Sequence, residues 1–276
     1  MTYKIVYDSA ANVIKPAIEN SSSVPLHMII DGVDYVDDAT LNLDQFKVKL
    51  QQCEKSGTAC ASVMDWMAAF GDAETVFCIT ITGALSGNYA SAMLAKETYE
   101  ETYPNRQVYV IDSKSAGPKM ALLVEKVTAL IADGMDPQAI ATEIEKAKRK
   151  TELLFVLSSL TNLAKNGRVS PLLAKVTGMM GIRVVGRSST AGEFEMIAKH
   201  RGEKKAFKDI LNEMAKSGYS SGKVQIAHHD HLDGAEKLKQ LIMERFNTKE
   251  IQIVATTALC SYYAEDGGIM LGFEIQ

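Results

Sequence analysis

The chain of 276 residues has only four cysteines, one tryptophan, little net charge and no long apolar run. The cysteines form no C-x-x-C pair, which argues against a zinc or dithiol site and favours free thiols. No apolar stretch approaches the roughly 18 residues of a membrane-spanning helix, and no signal peptide is recognisable. The net charge of −4, without a basic stripe, argues against nucleic acid as a partner. These absences predict a cytoplasmic protein without stable membrane insertion.

Apolar residues make up 46% of the chain and charged residues 23%, an ordinary globular composition. In the first half, predicted strands alternate with helices, which indicates βαβ units and a parallel sheet. In the second half, strands at 182–186 and 193–199 are predicted to pair in antiparallel fashion. We therefore expect an α/β protein with two domains. Residues 1–150 form a mainly parallel-sheet domain, and residues 151–276 form a smaller domain with a largely antiparallel sheet.

Two further elements of the first half are predicted from local patterns. The apolar stretch 24–30 is predicted to be one strand, followed by a hairpin turn at Asp31-Gly32. The small residues at 57–62 are predicted to form a loop, with Ser62 as the N-cap of a short helix.

Three predicted strands of the first half each end in a polar, hydroxyl-rich loop. In an open parallel sheet, ligands bind beyond the carboxyl ends of the strands, so these loops are expected to meet. The second loop opens a helix, whose N-terminal N–H groups favour an anion. Hydroxyls and amides at this place predict a site for a small anionic head group. The three loops begin at Asp8, Thr82 and Asp112.

Ser86 in the second loop allows other interpretations. A serine hydrolase or acyl transferase would use it as a nucleophile, but the nucleophile elbow needs a glycine two residues before and two after the serine. Here Gly83 lies three residues before Ser86, and Gly87 follows it directly. A plain strand-to-helix turn, with Ser86 or Asn88 as the N-cap, explains the segment equally well. The enzyme stays open as an alternative function.

The segment 228–233 contains three histidines and two aspartates, which are metal-ligand types. A binuclear hydrolase pattern would need a further histidine where the chain has Gly234. A strand end followed by Asp233 as a helix N-cap explains the segment more simply, so no metal site is predicted. A separate turn at 165–170 places Arg168 where it can reach an anion or a partner.

Several segments together resemble the DegV family of bacterial fatty-acid-binding proteins. The second loop keeps the family's L-S-G-x-Y-x-S-A core at residues 85–92. The resemblance covers nearly the full length, and its order of motifs is specific. The matching segments are residues 7–12, 79–92, 110–116, 160–170 and 201–206.

The resemblance implies an N-terminal three-layer α/β domain and a smaller second domain. It implies a non-catalytic carrier that needs no cofactor and buries one long-chain fatty acid, such as palmitate or stearate, in an apolar tunnel. Thr58 and Ser86 are expected to hold the carboxylate. The acyl chain is expected to pass to a separate fatty-acid kinase. Further ligand contacts are predicted at Ser62, Gly87 and Asn88, and partner docking at Arg168 and Arg201.

Two segments depart from the family pattern. The family's T-S-Q-P-S motif is reduced to its first and last hydroxyls, Thr58 and Ser62. Tyr263 stands where the family has a histidine that is associated with the kinase encounter, so the resemblance supports lipid binding more directly than transfer to a kinase. The predicted tunnel residues are Met64, Trp66, Met93, Leu94, Val156, Leu172, Met179, Met180 and Ile182.

Overall fold

The computed structural model describes residues 2–13, 20–175 and 181–275, which form three β-sheets. In chain order the strands are β1 (Tyr3–Asp8), β2 (Ser21–Val24), β3 (His27–Ile30), β4 (Val33–Val36), β5 (Ser56–Ala59), β6 (Thr75–Thr80), β7 (Gln107–Asp112), β8 (Thr151–Leu157), β9 (Ile182–Ser188), β10 (Phe194–Arg201), β11 (Val224–His228), β12 (Ile251–Ala255) and β13 (Ile269–Glu274). The helices are α1 (Leu43–Gln52), α2 (Val63–Phe70), α3 (Asn88–Thr102), α4 (Pro118–Ala132), α5 (Pro137–Arg149), α6 (Thr161–Lys165), α7 (Pro171–Ala174), α8 (Glu203–Lys216), α9 (Leu232–Phe246) and α10 (Ala258–Ala264). Within these ranges, no helix has the length and apolar character needed to cross a membrane.

Sheet A is the predicted parallel sheet, with the strand order β2-β1-β6-β7 and parallel pairing throughout. Successive residues of a strand point to opposite faces. Val6 and Val76 therefore pack on one side with α2 and α3. Ile5 and Ile79 pack on the other side with α4. The sheet lies between two helical layers, which confirms the expected three-layer arrangement.

Sheet C is the predicted antiparallel sheet, with the order β10-β9-β8-β13-β11-β12. Its pairings are antiparallel except between β11 and β12. One face packs against α8 and α9 through side chains such as Val156 and Leu271. On the other face, α4 approaches so closely that a Cβ on Gly272 would lie 2.6 Å from the Pro118 carbonyl carbon. Glycine is therefore needed where β13 meets the helix.

Helix α4 connects the two halves of the molecule. It packs against strands of sheet A and against β8, β11 and β13 of sheet C. Sheet A lies entirely before residue 150 and sheet C entirely after it. Because one helix covers both sheets, the halves share packing across the predicted boundary, and the division into domains 1–150 and 151–276 stays a prediction.

The small sheet B corrects two local predictions. It has the order β4-β3-β5 and is antiparallel. The stretch 24–30 is two strands, since β2 belongs to sheet A and β3 to sheet B. The hairpin turn is confirmed, with positive φ at Asp31 (48°) and Gly32 (82°). The residues predicted as a loop at 57–62 begin as strand β5, because its edge pairs with β3.

Two helices also differ from the expectations drawn from the sequence. Helix α9 begins at Leu232, so Asp233 lies in its first turn and His231 occupies the N-cap position. Helix α10 was not predicted at all. It is short, follows Thr257 and packs against α1 and α6. Its position between the two halves gives it a direct part in the candidate site.

Candidate functional site

The three polar loops meet at the carboxyl edge of sheet A, as the pattern of strands predicts. Strand β6 lies between β1 and β7, so their loops are neighbours. Asp8 Oδ2 accepts a hydrogen bond from Ile81 N at 2.7 Å. Thr82 N donates to Ser115 O at 2.8 Å. The loops therefore form one hydrogen-bonded surface.

A cavity opens beyond this surface, between the end of sheet A and one face of sheet C. It contains about 810 Å³ of atom-free space, including its mouth to solvent. Its wall combines polar residues from loops, from β5 and from α10 with apolar residues that come mainly from strands. The lining residues used below are Thr58, Ser86, Leu153, Phe155, Leu157, Arg168, Phe194, Leu259, Tyr263 and Met270.

Polar side chains from β5 and α10 meet in the cavity wall. Thr58 Oγ1 and Tyr263 OH lie 2.6 Å apart and share a hydrogen bond. Burial raises the pKa of Tyr263 above its ordinary value, although the hydrogen bond to Thr58 and the Arg168 charge oppose this. The phenol is therefore neutral at neutral pH. Two hydroxyls that share one hydrogen bond keep one O–H group to offer to a ligand.

Ser86 and Arg168 add two further polar groups to the wall. Ser86 Oγ accepts a hydrogen bond from Asn88 N at 3.2 Å, at the start of α3. Arg168 Nε donates to Leu85 O at 3.0 Å, so its guanidinium lies beside the Ser86 loop. Its Nη1 group also donates to Asn166 O. Arg168 therefore joins the loop after α6 to the loop after β6 and brings a positive charge to the cavity.

Asn166 fixes the backbone of Thr58. Its Oδ1 accepts from Thr58 N at 3.1 Å. Its Nδ2 donates to Tyr262 OH at 2.8 Å, and that hydroxyl donates to Ser56 Oγ at 2.9 Å. The outer edge of β5 is thus paired with side chains rather than with another strand. This pairing holds Thr58 against α10.

The remaining wall is mostly apolar and comes mainly from sheet C. Leu153, Phe155 and Leu157 alternate along β8 and belong to one buried cluster. The rings of Phe155 and Phe194 lie 4.8 Å apart. A Cβ on Gly186 would overlap the Phe155 ring, so glycine on β9 lets this ring lie across the sheet. This face therefore presents mainly hydrocarbon and aromatic side chains to the cavity.

The predicted site residues fall into two groups. Thr58, Ser86 and Arg168 line the cavity. The other four are absent from its described lining, and their predicted roles stay predictions. They are Ser62, Gly87, Asn88 and Arg201.

The contacts of these four residues are specific. Ser62 caps α2, where it and Asp65 form a reciprocal capping box. Asn88 is fully buried, and its side chain bonds Asp8 and the backbone of Ala61. Arg201 ends β10 on the exposed surface. Gly87 is the N-cap of α3.

The predicted tunnel residues do not match the cavity wall. Trp66 packs beneath sheet A with α3, and Val156 points to the α8 face of sheet C. Met64, Leu94 and Leu172 are exposed large apolar residues. Met93 and Ile182 are also absent from the lining. Met179 and Met180 lie outside the described residues.

The described residues do not form a catalytic site for a serine hydrolase or a site for a metal ion. None of the five histidines lines the described cavity, so no imidazole lies beside Ser86 as a base. His229 lies 3.5 Å from Thr256 Oγ1, and His231 pairs with Glu203. Across the described ranges, no group of three or more histidine, cysteine, aspartate or glutamate side chains is arranged to hold a metal ion.

Comparison with known proteins gives the same picture as the fold. A family model described as "Uncharacterised protein, DegV family" matches residues 2–274. The chain belongs to the DegV family. A DegV domain-containing protein of Streptococcus pneumoniae is 41% identical over 280 residues, with 100% of both chains covered.

Solved DegV structures share the architecture closely. A DegV family protein from Eubacterium eligens, loaded with heptadecanoic acid, has a TM-score of 0.97 and 36% identity, and the match covers 99% of this chain and 100% of that one. The Fatty Acid Kinase (Fak) B3 protein of Streptococcus pneumoniae, loaded with linoleic acid, also has a TM-score of 0.97, with 39% identity and full coverage of both chains. The structural neighbours of this DegV protein thus bind fatty acids.

Proposed function

We propose that the chain is a non-catalytic carrier that holds one long-chain fatty acid, such as palmitate or stearate, in the cavity between sheets A and C. The observation that carries this proposal is the pairing of a polar corner, with Thr58, Ser86 and Tyr263, and an apolar wall in one cavity. The fatty acids in closely similar DegV structures support it.

The carboxylate would lie at the polar corner. Removing a carboxylate from water costs several kcal/mol unless donors replace the lost hydration. The hydroxyls of Thr58 and Ser86 supply such donors, and Tyr263 supports Thr58 through their 2.6 Å contact. The Arg168 charge further favours an anion. Hydrogen bonds to a charged group are stronger than neutral ones, so this corner would set the orientation of the ligand.

The acyl tail would follow the apolar face of β8 and supply most of the affinity. Each buried methylene contributes about 0.8 kcal/mol, so about fifteen of them contribute about 12 kcal/mol before the cost of immobilising the ligand. The polar corner would therefore distinguish fatty acids from other apolar molecules, while the apolar wall would bind the acyl chain.

Presentation of the acyl chain to a separate fatty-acid kinase belongs to the same proposal. The similarity to the Fatty Acid Kinase (Fak) B3 protein of Streptococcus pneumoniae supports it. Arg201 lies exposed at the end of β10, where a partner can reach it. Formation of acyl phosphate from the loaded protein, a purified fatty-acid kinase and ATP tests this step.

Native mass spectrometry of the purified protein, followed by lipid extraction, tests the carrier function. We expect one long-chain acid per chain, and a strong loss of it in the double variant Thr58→Ala with Ser86→Ala. The matched control is Thr102→Ala with Thr142→Ala, which removes two exposed helix hydroxyls. Full retention of fatty acid by the site variant would contradict the proposed corner. Labelling of Ser86 by a fluorophosphonate probe would favour the hydrolase instead.

A further inference from the structure

Asn88 contacts both segments that carry the cavity hydroxyls. Its backbone N–H donates to Ser86 Oγ at 3.2 Å. Its side-chain Oδ1 accepts from Ala61 N at 2.9 Å, three residues after Thr58. The residue is fully buried and does not line the cavity. One side chain therefore ties the β5 segment to the β6 loop from behind the site.

Asp8 holds the Asn88 side chain in this orientation. Asp8 Oδ2 accepts from Asn88 Nδ2 at 3.0 Å and from Ile81 N at 2.7 Å. Its Oδ1 accepts from Ala10 N at 3.1 Å. In its ionised form the carboxylate only accepts hydrogen bonds, so the amide turns its nitrogen to Asp8 and its oxygen to Ala61. The amide orientation is thus fixed by charge as well as by shape.

Keeping an ionised carboxylate at position 8 costs free energy, because burial removes the charge from water. Asp8 is fully buried. Burial raises its pKa to about 7, against the effect of its three donors, and the Asp37 charge adds to the rise. The other titratable groups that interact with Asp8 are the thiols of Cys78 and Cys260. A neutral side chain would avoid this cost, but only a carboxylate of this size accepts from three N–H groups at once.

We propose that Asp8 and Asn88 are positioning residues that set the spacing between the Thr58 and Ser86 hydroxyls, and so control head-group affinity without touching the ligand. We call this hydrogen-bonded pair, Asp8 and Asn88, the clamp. The proposal rests on the proposed function, because the clamp acts on the same polar corner that would bind the carboxylate. Loss of the clamp should weaken recognition of the carboxylate and leave the apolar wall unchanged.

Two variants break the clamp in different ways. Asp8→Asn keeps the shape but turns an NH₂ group against at least one of the three N–H donors, whichever way the amide rotates. Asn88→Ala removes both side-chain bonds, keeps the backbone bond to Ser86 and places a good helix former in the first turn of α3. If Asp8→Asn fails to fold, Asn88→Ala still tests the clamp. The control is Leu238→Ala, which opens a cavity in the core behind sheet C, far from the loops.

The experiment compares two ligands on the delipidated full chain at about pH 8, above the pKa of about 7 of Asp8, so that its carboxylate is ionised. Palmitate and 1-hexadecanol have the same chain length, but only palmitate carries a carboxylate. We expect the clamp variants to weaken palmitate about tenfold and hexadecanol less than twofold, the palmitate change corresponding to about 1.4 kcal/mol. The Leu238→Ala control should change neither ligand more than twofold.

Equal weakening of both ligands would mean a general structural defect and would overturn the clamp. Unchanged palmitate affinity in both variants would overturn it as well. Failure of the wild-type chain to bind palmitate at all would instead refute the carrier function, so the two failures are distinguishable.

Discussion

Sheets A and C build the cavity in different ways. Sheet A contributes the ends of its strands, where loops carry Ser86 and the backbone groups around it. Sheet C contributes a face, where Leu153, Phe155 and Leu157 alternate along one strand. Strand ends offer polar groups without exposing a sheet edge, whereas a sheet face offers a continuous apolar surface. A ligand with a charged head and a long tail needs both, and the boundary between the sheets supplies both.

The two regions also differ in how strongly they are fixed. The segments that carry the polar groups are held by hydrogen bonds to the buried side chains of Asp8 and Asn88 and to the half-buried Asn166. The face of sheet C is fixed by packing, with Phe155 against Phe194 and over Gly186. Hydrogen bonds specify distances between groups, while packing specifies volume. We therefore expect changes in the loops to alter head-group recognition, and changes in the face to alter tail binding and stability.

The largest expected effect comes from adjacent leucines on β8 that point to opposite faces of sheet C. Leu153 faces the cavity, and Leu154 packs in the core beneath α8. Asparagine at either position should lower the free energy of unfolding by about 3 kcal/mol, because it buries an amide in an apolar place. Only Leu153→Asn should also weaken palmitate, by tenfold or more. Urea denaturation and palmitate titration of the folded variants measure the two effects, and equal loss of binding in both variants would remove the distinction between the faces.

This difference between faces also explains what the sequence could not reveal. Residues 153–157 are all apolar, and all are buried in the structure. The sequence therefore has no alternation of polar and apolar residues that would indicate which face meets the cavity. The face is decided by where α4, α10 and sheet A lie, and those contacts join residues that are distant in sequence. The sequence therefore predicts tunnel residues from their type alone, and one of them, Trp66, belongs to the core beneath sheet A.

The polar corner was more accessible to prediction. Three strands followed by polar loops indicated a common edge, and the parallel order of β1, β6 and β7 confirms it. Thr58 was expected in a loop and lies on β5, because its pairing with β3 is not a local property. Helix α10, which brings Tyr263 to Thr58, is short, and its apolar residues give a weak periodic signal. Thr257 before it was the available sign of a helix start.

The next effect concerns two adjacent tyrosines of α10 with different surroundings. Tyr263 OH contacts Thr58 at the cavity, and Tyr262 OH bonds Ser56 and Asn166 behind it. Tyr263→Phe should weaken palmitate about threefold to tenfold, since one hydrogen bond is worth about 0.5–1.5 kcal/mol. Tyr262→Phe should lower the free energy of unfolding by about 1 kcal/mol and change palmitate affinity less than twofold.

Palmitate titration and urea denaturation of both tyrosine variants separate these outcomes. Burial raises the pKa of Tyr263 above its ordinary value. Its hydroxyl should therefore remain a donor throughout the neutral range, and the ratio of affinities between wild type and Tyr263→Phe should be constant from pH 7 to about pH 9. A ratio that falls steeply over this range would show that the phenol loses its proton early, contrary to the effect of burial.

The smallest effect concerns Ser62, which the sequence suggested as a ligand residue and the structure places at a helix cap. Its hydroxyl accepts from Asp65 N at 3.2 Å, and Asp65 Oδ2 accepts from Ser62 N at 2.8 Å. Ser62→Ala should lower the free energy of unfolding by about 1 kcal/mol, whereas Ser62→Thr should keep most of the cap. Neither should change palmitate affinity, because the residue is absent from the described cavity lining. Weaker palmitate binding by Ser62→Ala alone, at unchanged stability, would show that Ser62 contacts the ligand. The polar corner would then extend toward α2.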